Sequence, residues 1–261
     1  MSVKYQAPSV RKAFLMLRLI SKAETGLGIS HLANRLEMSK GTVHGIISAL
    51  VETGALIRDP SSKKYTLGPT LFELGKSAYS ELDLREIARP IMKELMLRTG
   101  TSVFVGILNG HRVSILDVIE SNRNLKITAP RGTTIPFLAG ATGKVFLASM
   151  DNAQAAGIIK ENGIPKFTDH TITDPDEYLL QIQLTRENGY GVDDEEYIAG
   201  VRAAAAPIQG KRGTLYAIWG VGFKSALDDK KMAELTAGIQ EAAEEINALV
   251  KEQPLFTPPI A

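Results

Sequence analysis

Ile29-Ser30-His31-Leu32-Ala33-Asn34-Arg35-Leu36-Glu37-Met38-Ser39-Lys40-Gly41-Thr42-Val43-His44 decides how the first quarter of the chain folds. Leu32, Ala33 and Leu36 mark the inner side of a short helix with Ser30 as its expected N-cap. Ser39 is the expected cap of a second helix, running to about Thr53. In it Val43, Ile46, Ile47 and Leu50 recur at helical spacing and form one apolar stripe. Upstream, Ser9 is expected to cap a helix carrying Val10, Ala13, Phe14, Leu17 and Ile20, which Gly26 and Gly28 end. Downstream, Gly54 closes the third helix. Ala55–Arg58 and Lys63–Leu67 read as strands around the turn Asp59-Pro60-Ser61-Ser62. Three helices followed by a small hairpin make a winged helix-turn-helix, the shape of a DNA reader.

The charge distribution agrees. Residues 1–68 hold ten Lys and Arg against four acids, a surplus of six positive charges. The rest holds twenty bases against twenty-five acids, so a net charge of +1 conceals a basic head on an acidic body. A basic segment attracts polyanions because neutralised phosphates release condensed counterions.

Beyond Gly68-Pro69, Leu71 to about Leu82 reads as a linker helix, and Asp83 as the cap of a helix to about Arg98 that Pro90 should kink or break. From residue 99 the pattern turns to strands. Ser102–Leu108 and Arg112–Ile119 flank Asn109-Gly110, a hairpin signal. Leu125–Ala129 reads as a third strand, and Val201–Gln209 and Thr214–Phe223 as two more. Helices are expected at 143–149, after the cap Asp151, after Asp174-Pro175, and from Asp228 to about Lys251. The fold class is α+β. The expected organisation is a winged helix at 1–69, a linker helix at 70–84, a second domain at 85–251 and a tail at 252–261.

Three motifs in order give the chain a family resemblance. They are Ser39-Lys40-Gly41-Thr42-Val43-His44 with Tyr65-Thr66-Leu67-Gly68; Ile135-Pro136-Phe137-Leu138-Ala139-Gly140-Ala141-Thr142-Gly143-Lys144-Val145-Phe146-Leu147-Ala148; and Gly189-Tyr190-Gly191-Val192-Asp193-Asp194-Glu195-Glu196, followed by Gly200-Val201-Arg202 and Ala206-Pro207. Over about residues 7–250 the chain resembles the IclR family of bacterial transcriptional regulators. The resemblance implies a GAF-like C-terminal domain that binds a small effector. It also implies a homodimer or dimer of dimers on palindromic, double-stranded operator DNA.

Geometry selects the candidate DNA contacts. Opposite the stripe of the third helix lie Gly41, Gly45 and Ser48, with His44 and Thr42 on the flanks and Lys40 at the N-terminal end. A major groove admits one helix. Lys63 and Lys64 at the hairpin tip suit backbone contact, or are ordinary turn lysines. Family members often carry arginine at the position of Gly45; glycine there lets the helix backbone approach DNA.

For the effector, the resemblance implies Ala141, Thr142, Asp193, Ala203, Gly220 and Gly222, with Phe137, Leu138 and Trp219 as added apolar wall. Members that sense very small acids carry Cys and Ser where this chain has Ala203, Gly220 and Gly222. Their absence points to an organic acid larger and more apolar than glyoxylate. Three plainer readings stand beside this: Trp219 as core, Asp193–Glu196 as a solvated turn or the N-cap of a following helix, and Arg202 paired with one of those acids.

Catalysis is not expected. Gly140-Ala141-Thr142-Gly143-Lys144 fails the full phosphate-loop pattern, and the four histidines lack metal-ligand spacing, so no cofactor or metal is implied. Without cysteine, a signal segment or an apolar run of membrane length, a cytoplasmic protein with no membrane partner is expected. The alternative function is an architectural DNA-binding protein without a ligand.

Overall fold

A computed structural model of the 261-residue chain describes residues 7–79, 84–110, 112–210 and 213–252. The chain divides into two compact units, residues 1–81 and 82–261.

The first unit comprises α1 (Pro8–Ile20), α2 (Ile29–Arg35), α3 (Lys40–Glu52), the hairpin β1 (Leu56–Arg58) and β2 (Tyr65–Leu67), and α4 (Pro69–Tyr79). Its core is Met16 and Ile20 of α1, Leu32 and Ala33 of α2, Val43 and Ile47 of α3, Leu56 and Tyr65. Ile46 and Leu50 pack at its margin, completing the α3 stripe. Ser39 caps α3 by accepting a hydrogen bond from the Thr42 amide at 3.1 Å. The other two expected caps are corrected. α1 starts at Pro8, whose fixed φ suits the first helical turn, so Ser9 lies inside it. α2 starts at Ile29 after the extended Gly28, so Ser30 lies inside as well.

The second unit contains α5 (Leu84–Thr99), β3 (Ser102–Asn109), β4 (Arg112–Ile119), β5 (Thr134–Pro136), α6 (Gly140–Ala148), α7 (Asn152–Asn162), α8 (Pro175–Asn188), β6 (Gly191–Asp194), β7 (Val201–Gln209), β8 (Leu215–Phe223) and α9 (Asp229–Glu252). Six strands form one antiparallel sheet in the order β5-β4-β3-β8-β7-β6. One face packs on α5 and α9 through Leu95, Val103, Val105, Ala204, Ile218 and Leu235. The other packs on α6, α7 and α8 through Phe104, Val113, Phe146, Ile159, Ile182 and Trp219. This is an α+β domain of the GAF-like type.

Asp83, the expected α5 cap, lies outside the described residues, and two other expectations give way. Pro90 does not break α5: it sits on the exposed side, so the Glu86 carbonyl it leaves unbonded faces water, while Leu84, Ala88, Ile91, Met92, Leu95 and Met96 hold the buried side across it. Leu125–Ala129 is not a strand. The free edge of β4 is taken by β5, whose Ile135 pairs with Val113, and Leu125 is 71% exposed. The short β6 has no apolar alternation to announce it.

The Ser39 cap makes a local forecast. Ser39→Ala should cost about 1 kcal/mol at the start of α3. Amide hydrogen exchange at Thr42 and Val43 should then speed up roughly fivefold, with the sheet of the second unit unchanged; equal rates would show the cap contributes nothing.

Candidate functional sites

The candidate DNA-reading surface is built on α3. Lys40, Gly41, Thr42, His44, Gly45 and Ser48 are all exposed. The structure therefore puts these six on one solvent-facing side, opposite buried Val43 and Ile47. Thr42 is partly engaged, its Oγ1 lying 2.9 Å from Ser39 Oγ, and Ser48 Oγ lies 3.5 Å from His44 Nδ1. A methyl group added at Gly41 or Gly45 would meet nothing within 4 Å, so neither glycine is demanded by packing inside the chain.

The hairpin tip is organised by Asp59. Its Oδ1 accepts from the Ser61 and Ser62 hydroxyls at 2.6 and 3.0 Å and from their amides at 2.9 and 2.7 Å. The Ser61 hydroxyl first, and then the Ser62 amide and hydroxyl, hold its pKa down at about 2. Lys63 follows in a left-handed conformation (φ 56°) and is exposed. Lys64 turns the other way: its Nζ donates to Thr25 Oγ1 at 3.1 Å and its stem is half-buried. The two lysines are thus not equivalent. Among the described residues, no lysine or arginine of the first unit forms an ion pair, so its positive charge is unspent.

In the second unit a cavity of about 260 Å³ lies between the sheet, the start of α6 and the segment after β6. Of the nine residues expected at an effector site, Ala141, Thr142, Asp193, Ala203 and Trp219 line it. Phe137 and Leu138 are buried in the adjoining core, Phe137 against Phe146 with ring centroids 6.4 Å apart. Gly220 and Gly222 lie on the opposite face of the sheet. Strand alternation sends Trp219 and Val221 toward the cavity, whereas side chains at 220 and 222 would meet Leu235, Thr101 and Leu227. Phe104, Ile115, Ile127, Tyr197, Ile198 and Val221 are among the other residues that line it and were not anticipated. Only Val221 had a usable signal, its two-residue spacing from Trp219.

The cavity touches the uncapped N-terminus of α6. Ala139 there offers no capping side chain, and the first intrahelical amide bond at this end runs from Gly143 to Ala139. The amides before it are free to meet a ligand. Gly140 takes φ 50° with the Asp193 carboxyl against it; a methyl group there would lie 2.0 Å from Oδ2. Asp193 is 5% exposed, and burial pushes its pKa up to about 6. The Glu196 amide, donating at 2.7 Å, pulls against that, while the Glu196 charge adds to it.

Behind this wall Lys144, 1% exposed, donates to Val192 O at 2.9 Å and to Glu196 Oε1 at 2.5 Å. It therefore ties α6 to β6 and is unavailable as a phosphate ligand. Arg202 is spent on a bidentate pair with Asp194 and a third bond to Asp229, both at 2.7–2.8 Å, so it does not serve the cavity. Two roomier clefts exist. The one of about 330 Å³ includes Arg186, whose guanidinium is used on Ala148 O, Met150 O and Asn152; the one of about 550 Å³ lies between α8 and α9. Neither reaches the start of α6. Among the described residues no cluster of His, Asp or Glu is arranged for a metal, and no helix is long and apolar enough to cross a membrane.

Comparison with known proteins shows the family of the chain. Residues 9–60 match the IclR helix-turn-helix domain, and residues 76–248 match the C-terminal domain of the bacterial transcriptional regulator IclR. The transcriptional regulator BhcR of Paracoccus denitrificans is 32% identical over 237 residues, covering 90% of this chain and 85% of BhcR. An IclR regulator from Alicyclobacillus acidocaldarius is 26% identical, with a TM-score of 0.76 over 94% of this chain and 100% of that one. An IclR homologue from Microbacterium hydrocarbonoxydans, solved with 4-hydroxybenzoate, shares the fold at 21% identity, with a TM-score of 0.77 over 94% of this chain and 100% of its own. With both domain families matched in order, the chain belongs to the IclR family of transcriptional regulators, pairing a DNA-binding helix-turn-helix domain with an effector-binding domain.

Proposed function

We propose that the protein binds a palindromic operator through α3 and the β1–β2 hairpin, and that an organic acid larger and more apolar than glyoxylate controls this binding from the cavity at the start of α6. The unpaired positive charge around the exposed α3 face supports the first half. Phosphate contacts from Lys40 and Lys63 set position, and Thr42, His44 and Ser48 stand where base edges pass. A single reading helix covers one half-site, so the proposed species is a homodimer or a dimer of dimers. Phe14 on α1 and Phe72 and Leu74 on α4, between 61% and 74% exposed, offer apolar surface for such pairing.

The observation that carries the effector reading is the composition of the cavity. Phe104, Ile115, Ile127, Val201, Trp219 and Val221 give it an apolar body, Thr142, Asp193 and the α6 amides add polar groups at the start of α6, and Thr128, Thr133, Thr134 and Tyr197 add a few more. That is the usual arrangement for a small-molecule site. Helix N-termini favour anions, so the acid group belongs there. At about 260 Å³ the space exceeds what a two-carbon acid fills and suits one ring or a medium chain. The same fold holds 4-hydroxybenzoate in the Microbacterium homologue. A ligand-sized cavity also favours sensing over a purely architectural role. The direct test is calorimetry against two-carbon, aromatic and medium-chain acids; tight binding of glyoxylate and none of the larger acids would overturn the reading.

Three further outcomes are expected. Gly45→Ala should firm α3 by about 1 kcal/mol and yet weaken operator binding in a mobility-shift titration, because the added methyl stands between helix and groove. Lys63→Ala should lower the slope of log affinity against log salt by about one unit. Asp193 sets a pH dependence. Its pKa is raised, so its contribution to stability is full below the ordinary value near 3.8 and is lost as pH climbs through about 6. A bound anion disfavours its charged form further. Affinity for an aromatic acid should therefore rise as pH falls from 7 to 5, and Asp193→Asn should flatten that profile; an unchanged profile in the variant would remove Asp193 from the account.

A further inference from the structure

We propose that Trp219 donates a hydrogen bond to the effector from its indole N–H, so that the effector carries, besides its acid group, a second acceptor set against this ring. The inference rests on reading the cavity as the effector site and narrows the chemistry of what fills it.

The ring is held in place from two sides. Trp219 on β8 pairs across the sheet with Phe104 on β3, and the two rings stack at 5.5 Å with planes 8° apart. The six-membered edge of the indole fills the space left by Gly106, where a methyl group would lie 2.8 Å from Cη2. This pocket for the ring sits at the register shift between Val105 and Gly106. With its six-membered ring fixed over Gly106 and its face on Phe104, the indole has a set direction for its N–H.

That N–H makes no hydrogen bond among the described residues. Yet no buried side-chain nitrogen or oxygen among them lacks a partner. Trp219 is 5% exposed, and it lines the cavity. Its unpartnered donor therefore opens onto that space. An indole nitrogen donates and cannot accept, and a tryptophan in a buried wall normally finds a partner.

None of the neighbouring polar groups of the wall accepts from the indole. Thr128 donates to Glu120 at 2.6 Å, Thr142 donates to Ala139 O at 3.0 Å, and Asp193 Oδ1 accepts from the Glu196 amide. With no bond from the indole to any of these groups, the acceptor for Trp219 in the filled cavity is the ligand's. A ligand without one displaces water from the donor and leaves it unsatisfied, which costs affinity. A purely apolar acid is thus the wrong class. A ring-sized acid bearing a hydroxyl, aldehyde or keto oxygen is the right one.

Trp219 is the only tryptophan in the chain, so its fluorescence reports cavity occupancy directly. The probes are benzoate and its 3- and 4-hydroxy and 3- and 4-formyl derivatives, titrated against the full-length protein by fluorescence and by calorimetry. At least one derivative should bind about five- to tenfold more tightly than benzoate. Trp219→Phe keeps a ring on Phe104 but removes the donor. In that variant, followed by calorimetry, the advantage of the derivative over benzoate should fall below about twofold. If benzoate matches every derivative in the unmodified protein, or if the variant keeps the preference, Trp219 is not a donor to the effector. If none of the five acids binds, the effector is not an aromatic acid and this inference falls, while binding of a medium-chain acid in the calorimetric series would leave the organic-acid reading standing. The ratio within the unmodified protein is decisive even if the variant folds poorly.

Discussion

Side chains along β7 and β8 point alternately to the two faces of one sheet, and the second unit depends on that parity. Ala204, Ala206, Ile208 and Ile218 meet α5 and α9, forming a dry layer. Ala203, Ala205, Ala217 and Trp219 meet the α6 side. A slip of one residue would exchange the sets and put Trp219 into the α9 contact, where Leu235 already occupies the space a side chain at 220 would need. The small residues of this strand pair have two uses. Toward α9 they allow close packing, and toward α6 the alanine at 203 leaves the volume that becomes the cavity.

Around the cavity, charge is buried in a way that trades stability for position. Lys144, Asp193 and Glu196 sit within one small region, and burying such groups is costly even when they are paired. In return, Lys144 joins α6 to β6 and to the segment after it. That segment is braced further: Thr168 and Thr171 donate to the carbonyls of Glu195 and Glu196 at 2.6 Å, Glu195 takes a left-handed φ of 65° and binds the Gly200 amide and Lys224, and Phe167 meets Tyr197 edge-on at 5.0 Å. Tyr197 and Ile198 therefore face the cavity from a wall that is rigid before any ligand arrives.

What could be read from sequence followed the range of the interactions involved. α3 was legible because its cap, Ser39 to Thr42, and its stripe are both local. The hairpin was legible through Asp59, which makes its whole turn from within four residues. Ser9 and Ser30 misled because a proline and a glycine just upstream began the helices earlier. Leu125–Ala129 has the alternation of a strand, but whether β4 pairs with it or with Thr134–Pro136 is a long-range choice; Ile127 and Ala129 face the cavity instead. The motif containing Gly140–Lys144 was visible, as was the presence of Asp193. The parity that turns Gly220 and Gly222 away from the cavity was legible only relative to Trp219, since which of the two sets meets the cavity depends on where β8 enters the sheet. Lys144 carried a hint that went unused: a lone cation inside Val145-Phe146-Leu147-Ala148 has to find its counter-charge indoors.

The first unit follows a different electrostatic logic. Its described bases have no acidic partners within the fold, so in the absence of DNA they repel one another and lower the margin by which the unit holds together. Any polyanion relieves that repulsion. In a cell extract the protein should leave its column carrying host nucleic acid. A wash above about 0.5 M salt, where the Debye length shrinks to roughly 4 Å, is the condition under which it would come away clean.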